Sequence, residues 1–397
     1  MNLELKKNVN IFHLYRFISR FYMYLPILVA IFLSFKLSYM EVSCAIAIHG
    51  FSIMLFKFPL KYILKKVKSI KKIVFIGEIT KGIGILCIAI SGGNFYLILL
   101  GQLINGIGFA LTTSIESALL FNLLKFHNSE NEYRSIEAKS QALSFVSCFF
   151  AGILGSVVGN TSLSITLYIS AVFAIASSFI ILSFKEYTLS ESNNESQETV
   201  KEDIRKVSHV LYFYALNRGI IIAIFVYVLP MFLQEVYELN LVFFGIILGL
   251  FSLTAFVVGN TIEKISKAFK GLWFAVPLFL VLAIVILSLK SIYVLFFVPI
   301  LLGFSGITVR PISVNYINSK IKSNRGLIMS RGEQYFGLLN AAFIIIFGTL
   351  FTYTSLMVSL YVFLGLVVAG SLLIGVYAKV KVGTSGNVPT NKANVNV

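Results

Sequence analysis

The chain has 397 residues, of which 57% are apolar and only 13% are charged, and its mean hydropathy is +0.88. Soluble domains carry about 45–50% apolar and about 25% charged residues, so this composition excludes a cytosolic enzyme, a disordered chain and a nucleic-acid-binding domain. Because a membrane span needs about 20 apolar residues, the chain can form ten to twelve spans, and we expect an all-α polytopic membrane protein.

Twelve hydrophobic runs follow one another along the chain, and polar segments follow the sixth and the twelfth. The predicted spans are 13–36, 41–60, 73–92, 95–119, 138–159, 163–184, 209–232, 241–262, 271–289, 291–311, 331–351 and 355–378. We therefore predict two six-helix bundles, one on each side of a linker. The predicted boundaries are 1–184 for the N-terminal bundle, 185–208 for the linker, 209–378 for the C-terminal bundle and 379–397 for a polar tail.

The net charge of +16 is distributed as in a membrane protein and not as in a phosphate-binding groove. With the N-terminus placed in the cytoplasm, 29 of the 33 Lys and Arg residues fall in cytoplasmic connections or termini, and only Lys36 and Lys290 fall in external ones. Basic connections stay in the cytoplasm. We therefore predict a multi-pass protein of the cell membrane with both termini cytoplasmic, and no nucleic-acid partner.

The end of span 4 and the connection after it carry a recognisable motif, GFALTTSIESALLFNLLKFHNSENEYRSIEAKSQAL at 108–143. This segment resembles one found in a drug-efflux-like branch of the major facilitator superfamily, in which an acidic residue precedes an A-L-L run and a Y-R pair follows. The residues that carry the resemblance are Glu116, Ala118, Leu119, Leu120, Leu124, Lys125, Tyr133 and Arg134, while Asn122 replaces the usual aspartate. The resemblance implies twelve helices in two related six-helix bundles.

Two further connections bear on the same resemblance. After span 10, residues 311–330 (PISVNYINSKIKSNRGLIMS) resemble the corresponding loop of that branch through Asn318, Ile321, Arg325 and Ser330. After span 2 the branch has a gating loop of the form P-T-G-x-x-A-D-R-x-G-R-K. Here Pro59 is retained, but Lys61 replaces the glycine and Lys65 the aspartate. The resemblance makes Pro59, Lys65, Arg134 and Arg325 gating-loop candidates. The lysines at 61 and 65 imply that any gating contact of this loop is formed by other residues than in the branch.

Ionisable residues inside spans are candidates for function because burying charge in a membrane is costly. Arg218, with Asn217 beside it, lies near the middle of span 7. We predict either a cavity-lining cation that binds an anionic substrate or pairs across the two halves, or a static interhelical ion pair. Glu78 precedes Lys81 by three residues on one helix face, so either the two neutralise each other or Glu78 carries a proton.

Span 4 and its neighbours supply the remaining candidates. Glu116 has either a coupling or gating role or an interfacial one. Arg16 and Arg20 share one face of span 1 and are either topology anchors or partners of Glu116. The other candidates are polar residues in mid-span: His49, either hydrogen-bonded to a neighbour or active in proton transfer, and Gln102 and Asn105, either lining a cavity or bonding across helices.

The leading functional hypothesis is a secondary active transporter that exports a small amphipathic compound, such as a drug, antibiotic or secondary metabolite, by alternating access. Its expected partners are this small-molecule substrate, the lipid bilayer and protons as the candidate coupling ion, and we expect a monomer. The spacing of Gly152, Gly155 and Gly159 in span 5 resembles the antiporter motif of exporters but lacks its proline. No metal-ligand or nucleotide-binding spacing is present, so neither a metal nor a cofactor is expected.

Two alternatives remain open from the sequence. The first is an importer of a nutrient or sugar, which would normally carry more Asn, Gln and Asp within its spans. The second is a non-transporting membrane scaffold or immunity protein, which the lysines at 61 and 65 keep possible.

Overall fold

The structure is a computed structural model that describes residues 3–67, 69–113, 115–187, 197–268, 272–321 and 325–385. These residues form twelve helical rods, numbered α1 to α12, and no β-strand occurs among them. In this part of the chain, nine helices are long and apolar enough to cross a membrane. The others are the interrupted α1, the charged α3 and the shorter apolar α9. The predicted all-α polytopic fold is confirmed.

The N-terminal bundle contains α1 to α6. The helices are α1 (Leu3–Ile18 and Leu28–Ser34, with a 3-10 turn at Leu25–Ile27), α2 (Tyr39–Lys66), α3 (Ile70–Ala89), α4 (Phe95–Thr112 and Ile115–Phe126), α5 (Tyr133–Gly159) and α6 (Leu163–Leu182).

The C-terminal bundle contains α7 to α12. The helices are α7 (Gln197–Ala223 and Leu229–Glu235, joined by a π-helical turn at Ile224–Val228), α8 (Leu241–Ala268), α9 (Leu272–Ser288), α10 (Ile292–Leu295 and Phe297–Lys320), α11 (Arg325–Tyr353) and α12 (Leu356–Ser385).

The helices pack in the same pattern in both bundles. The pairs α1 with α5, α2 with α4, α3 with α4 and α3 with α6 recur as α7 with α11, α8 with α10, α9 with α10 and α9 with α12. The two largest contacts between bundles, α2 with α11 and α5 with α8, are likewise related by a shift of six helices. Two parallel repeats of six helices account for this pattern.

The hydrophobic core is shared at one end of the molecule and divided at the other. We call the end at which α1 and α7 begin the basic end, because the lysine- and arginine-rich connections lie there. At the opposite end, one cluster joins residues of both bundles, such as Phe32 of α1 and Phe232 of α7. At the basic end each bundle has clusters of its own, around Leu120 in the first and Leu211 in the second. The two bundles therefore hold together mainly at the end away from the termini.

The interruption of α1 between Ile18 and Leu25 is supported by neighbouring helices. Backbone N–H groups that leave a helix inside a membrane need other acceptors. Those of Met23 and Tyr24 donate to the Ser170 Oγ of α6 at 3.0 and 3.4 Å. A Cβ atom on Gly155 of α5 would lie only 2.0 Å from the Met23 carbonyl oxygen, so glycine permits this contact. The break positions the arginines at the end of the first segment of α1.

Candidate functional site

The first set of ionisable side chains lies inside the N-terminal bundle. We call it the N-bundle charge cluster, and its members are Tyr15, Arg16, Arg20, Glu78, Lys81, Glu116 and Glu137. Three cations face three carboxylates, and four of the six charged side chains are at most 5% exposed. Buried charges are stable only when they are paired in this way.

Glu116 is the centre of the cluster. Its Oε1 accepts hydrogen bonds from Arg16 Nη1 at 2.7 Å and from Arg20 Nη2 at 2.6 Å. Arg16 also donates to Glu137 Oε1 at 2.7 Å. Of the two alternatives for Arg16 and Arg20, the structure supports partners of Glu116. The side chain of Glu116 is only 2% exposed, and its coupling, gating or interfacial role stays a prediction.

The Tyr15 hydroxyl lies between two carboxylates. Its oxygen is 2.8 Å from Glu78 Oε1 and 3.0 Å from Glu116 Oε2. A phenol has one proton to donate. Both contacts can be full hydrogen bonds only when one of the two carboxyl groups carries a proton. Lys81, as predicted, pairs with Glu78, with Nζ 2.8 Å from Oε1. This geometry can hold one exchangeable proton where α1, α3 and α4 meet.

The second set lies in the C-terminal bundle, and we call it the C-bundle ion pair. Arg218 Nη1 of α7 donates to both carboxylate oxygens of Glu333 on α11, each at 2.6 Å. The Tyr214 hydroxyl donates to Glu333 Oε1 at 2.6 Å and also contacts Arg218. The guanidinium lies 4.4 Å over the Phe336 ring, a cation–π contact. Arg218 thus pairs within its own bundle, and the predicted pairing across the two halves is wrong.

The predicted mid-span polar residues are distributed over both bundles. Asn105 donates to the Tyr24 hydroxyl at 3.2 Å and Gln102 beside it is buried. The His49 ring packs edge-on against Phe109, and its Nδ1 has no hydrogen-bond partner within the described chain. Asn217 does not join Arg218, because its amide donates to the backbone oxygen of Phe213 on its own helix, at 2.8 Å.

The predicted gating loop after span 2 is largely helical. α2 continues through Pro59 as far as Lys66, so only residues 67–69 connect it to α3. Pro59 is exposed on this helix. The side chains of Lys65, Arg134 and Arg325 lie outside the part of the chain whose side chains the structure describes. The gating role of these four residues stays a prediction.

Sequence reasoning did not identify several residues of these sites, namely Tyr15, Lys57, Glu137, Tyr214 and Glu333. The sequence predicts that Lys57 lies in the loop after span 2, yet in the structure it belongs to α2 and its residue exposure is 6%. Glu333 stands at the edge of an apolar run, where a carboxylate normally reaches water. The available signal was Arg218 itself, since a cation so deep in a span requires an acidic partner.

A cavity marks the seam between the bundles at the basic end. It has a volume of about 480 Å³ and lies between α5, from Ser135 to Leu143, and Phe256 and Asn260 of α8. Beyond it, towards the opposite end, α5 and α8 are in close contact, and a Cβ on Gly245 would lie 2.6 Å from the Gly152 carbonyl oxygen. Along α5 and α8 the seam is therefore closely packed towards the opposite end and holds a cavity at the basic end.

Comparison with known protein families identifies the family of this chain. A sequence profile of the Major Facilitator Superfamily matches residues 16–341. The chain belongs to the major facilitator superfamily. As a member, it is a multi-pass membrane transporter for a small molecule, which confirms the general function predicted from the sequence. No curated protein sequence is similar enough to match.

Solved structures of the superfamily share the fold of this transporter. The nucleoside transporter NupG superimposes with a TM-score of 0.73 at 14% identity, covering 95% of this chain and 99% of NupG. The POT family transporter PepTSo superimposes with a TM-score of 0.77 at 10% identity, covering 94% of this chain and 98% of PepTSo. At these identities the likeness concerns the fold alone. Among the described residues of the present chain, no group of three His, Cys, Asp or Glu side chains could hold a metal ion.

Proposed function

We propose that this transporter exports a small amphipathic compound across the cell membrane by alternating access, with protons as the coupling ion. In this proposal it acts as a monomer, with both termini in the cytoplasm. The basic end then faces the cytoplasm, as the distribution of Lys and Arg favours.

The observation that carries the proposal is the uneven union of the two bundles. They share one core at the opposite end and have separate cores at the basic end. Contacts between bundles reinforce the closed end, including Tyr39 with Glu235 at 2.8 Å and Asn160 with Asn240 at 2.9 Å. An arrangement of this kind supports a state that accepts solute from the cytoplasm and blocks its path outward. Rocking of one bundle against the other would reverse the access.

Aromatic side chains beside the charged groups support an amphipathic substrate. Phe109 and Tyr22 in the N-terminal bundle, and Phe336 in the C-terminal bundle, place aromatic rings next to charged side chains. Rings bury the apolar part of a ligand while a few polar groups fix its orientation. Export, rather than uptake, is supported by the resemblance of residues 108–143 to the drug-efflux-like branch.

Coupling to protons is supported by the N-bundle charge cluster. Tyr15 bridges two carboxylates with one donated proton, so a second proton would complete the network. Protonation of Glu78 or Glu116 would change the charge balance between α1, α3 and α4. Such a change can bias the equilibrium between two conformations.

The test is a fluorescent-compound efflux screen in cells that lack their own pumps, followed by uptake into inverted vesicles. Export predicts accumulation inside inverted vesicles that collapses with a protonophore and persists when ATP is depleted but the ion gradient is maintained. Accumulation only in right-side-out vesicles would establish import instead. Alternating access is tested by joining Asn160→Cys and Asn240→Cys with a short thiol crosslinker, which should stop transport reversibly if the closed end must open.

Uptake of a polar solute is the second candidate, and one observation favours it. Gln102 and Asn105 on α4, and Asn217 and Asn340 on α7 and α11, are all buried amides within spans. Buried amides can hydrogen-bond a polar solute. The vesicle experiment separates the two directions.

A further inference from the structure

Lys57 faces the second bundle across the contact between α2 and α11. These helices run antiparallel, and their glycines fix the register: a Cβ on Gly337 would lie 3.0 Å from the Gly50 carbonyl oxygen and 3.3 Å from the Met54 Cβ. Moving one turn along both helices towards the basic end reaches Lys57 on α2 and Glu333 on α11. The lysine of one bundle is therefore level with the ion pair of the other.

The Lys57 side chain is largely buried and lacks a direct polar partner. Its residue exposure is 6%, and it forms no hydrogen bond or ion pair with any described residue. The acceptors level with it already bind other donors. Both oxygens of Glu333 bind Arg218, Oε1 also binds Tyr214, and the Gln334 Oε1 accepts from Arg331 at 3.1 Å. A largely buried cation whose nearby carboxylate is already bound by an arginine leaves room for a second anion.

The charges around Lys57 have an excess of positive sign. Lys57 interacts electrostatically with Glu333, Arg218 and Arg310, and Arg310 of α10 is exposed. Three cations thus lie within electrostatic range of one carboxylate, that of Glu333. α2 supplies Lys57, α7 supplies Arg218 and Tyr214, α10 supplies Arg310, and α11 supplies Glu333. The site lies between the bundles, where a transported solute must pass.

We propose that Lys57, Arg218 and Arg310 together bind an anionic group, a carboxylate or phosphate, of the transported compound. The proposal rests on the proposed function only in that the compound passes between the bundles. An anion held by Lys57 on one bundle and by the two arginines on the other would draw the basic ends of the bundles together. Substrate binding would then itself favour closure of the cytoplasmic side.

The experiment measures binding in the purified full-length protein, in neutral detergent at constant ionic strength and without a gradient. The probes are 2-naphthoate, 2-naphthylmethylamine and 2-naphthylmethanol, which share one ring system and differ in charge. We expect naphthoate alone to raise the melting temperature. Lys57→Gln should raise the half-saturating naphthoate concentration by about tenfold, as for the loss of one charge-assisted contact. Lys185→Gln, at a side chain that is 63% exposed, is the matched control and should leave it unchanged.

The proposal is overturned if the amine or the alcohol stabilises the protein as much as naphthoate, or if Lys57→Gln keeps the full naphthoate response. Arg310→Gln, at an exposed position that tolerates substitution, gives a second variant should Lys57→Gln fail to fold, and it should weaken naphthoate binding in the same direction. Stabilisation by phosphatidylglycerol but not by naphthoate would show a lipid site and reject the substrate site. Because binding needs no transport, a failed efflux screen leaves this result standing, and failure here with intact efflux rejects the anion site alone.

Discussion

The replacement of Glu116 by glutamine tests how far the N-bundle charge cluster stabilises the fold. Glu116 is 2% exposed and accepts from Arg16, Arg20 and Tyr15. Glutamine keeps the size and one acceptor oxygen but removes the negative charge, so that among the described residues Arg16 keeps only its ion pair with Glu137 and Arg20 loses its ion pair. Removing one partner of a buried ion pair costs about 3–5 kcal/mol. We expect Glu116→Gln to lower the free energy of unfolding by about that amount.

Glu137→Gln is the matched control because it changes the same functional group one helix away. Glu137 is 24% exposed and binds Arg16, which keeps Glu116 as a second partner. Its loss should cost about 1 kcal/mol, near the value for solvent-accessible pairs. Reversible unfolding of the purified variants in mixed detergent micelles measures the change in the free energy of unfolding for both substitutions. Equal losses for the two variants would refute the argument that burial of Glu116 sets its contribution.

Three further outcomes are expected. Arg218→Ala should lower the yield of folded protein because Glu333 loses the guanidinium that binds both of its oxygens, and Glu333→Gln added to it should restore much of that yield. Immunoblots of the membrane fraction measure the yield, and an unchanged yield of the single variant would contradict a structural pair. Gly155→Ala should reduce thermal stability because its Cβ would meet the Met23 carbonyl oxygen at 2.0 Å, whereas Gly365→Ala, with nothing within 4 Å, should not. Equal melting temperatures of the two variants would contradict the argument that the α1 break requires glycine at position 155. A topology reporter fused at Glu238 should report the outside, and one fused at the C-terminus should report the cytoplasm. A cytoplasmic signal at Glu238 would contradict the predicted orientation.

The helices could be predicted because long apolar runs in a membrane leave few alternatives to a helix. Each of the twelve predicted spans overlaps a helix of the structure. The interruption of α1 could not be predicted, since it depends on the Ser170 hydroxyl and on the close approach of Gly155, which are distant in sequence. The extension of α2 past Pro59 could not be predicted either, because its many lysines are typical of a cytoplasmic loop.

The candidate sites were predictable only in part, for a related reason. Glu78 with Lys81 is a local pair, three residues apart on one helix, and its contact is observed as expected. Arg218 with Glu333 is a pair between distant helices, and only the cation stands out in the sequence. A single sequence identifies a charge in an unusual place, but it does not identify which distant side chain neutralises it.

The arginines of α1 also constrain how the protein is made. α1 consists of a 16-residue segment ending near Arg16 and a seven-residue segment beyond the break, so neither piece alone spans a bilayer. During insertion, an arginine at the centre of a membrane helix costs about 2.5–3.5 kcal/mol. In a nascent chain that stops before Glu116, neither Arg16 nor Arg20 has the carboxylate on which both converge. We therefore expect α1 to lie at the membrane surface until α4 has left the ribosome, and to insert to its final depth only after that. For this chain the first span made would be among the last to reach its final depth.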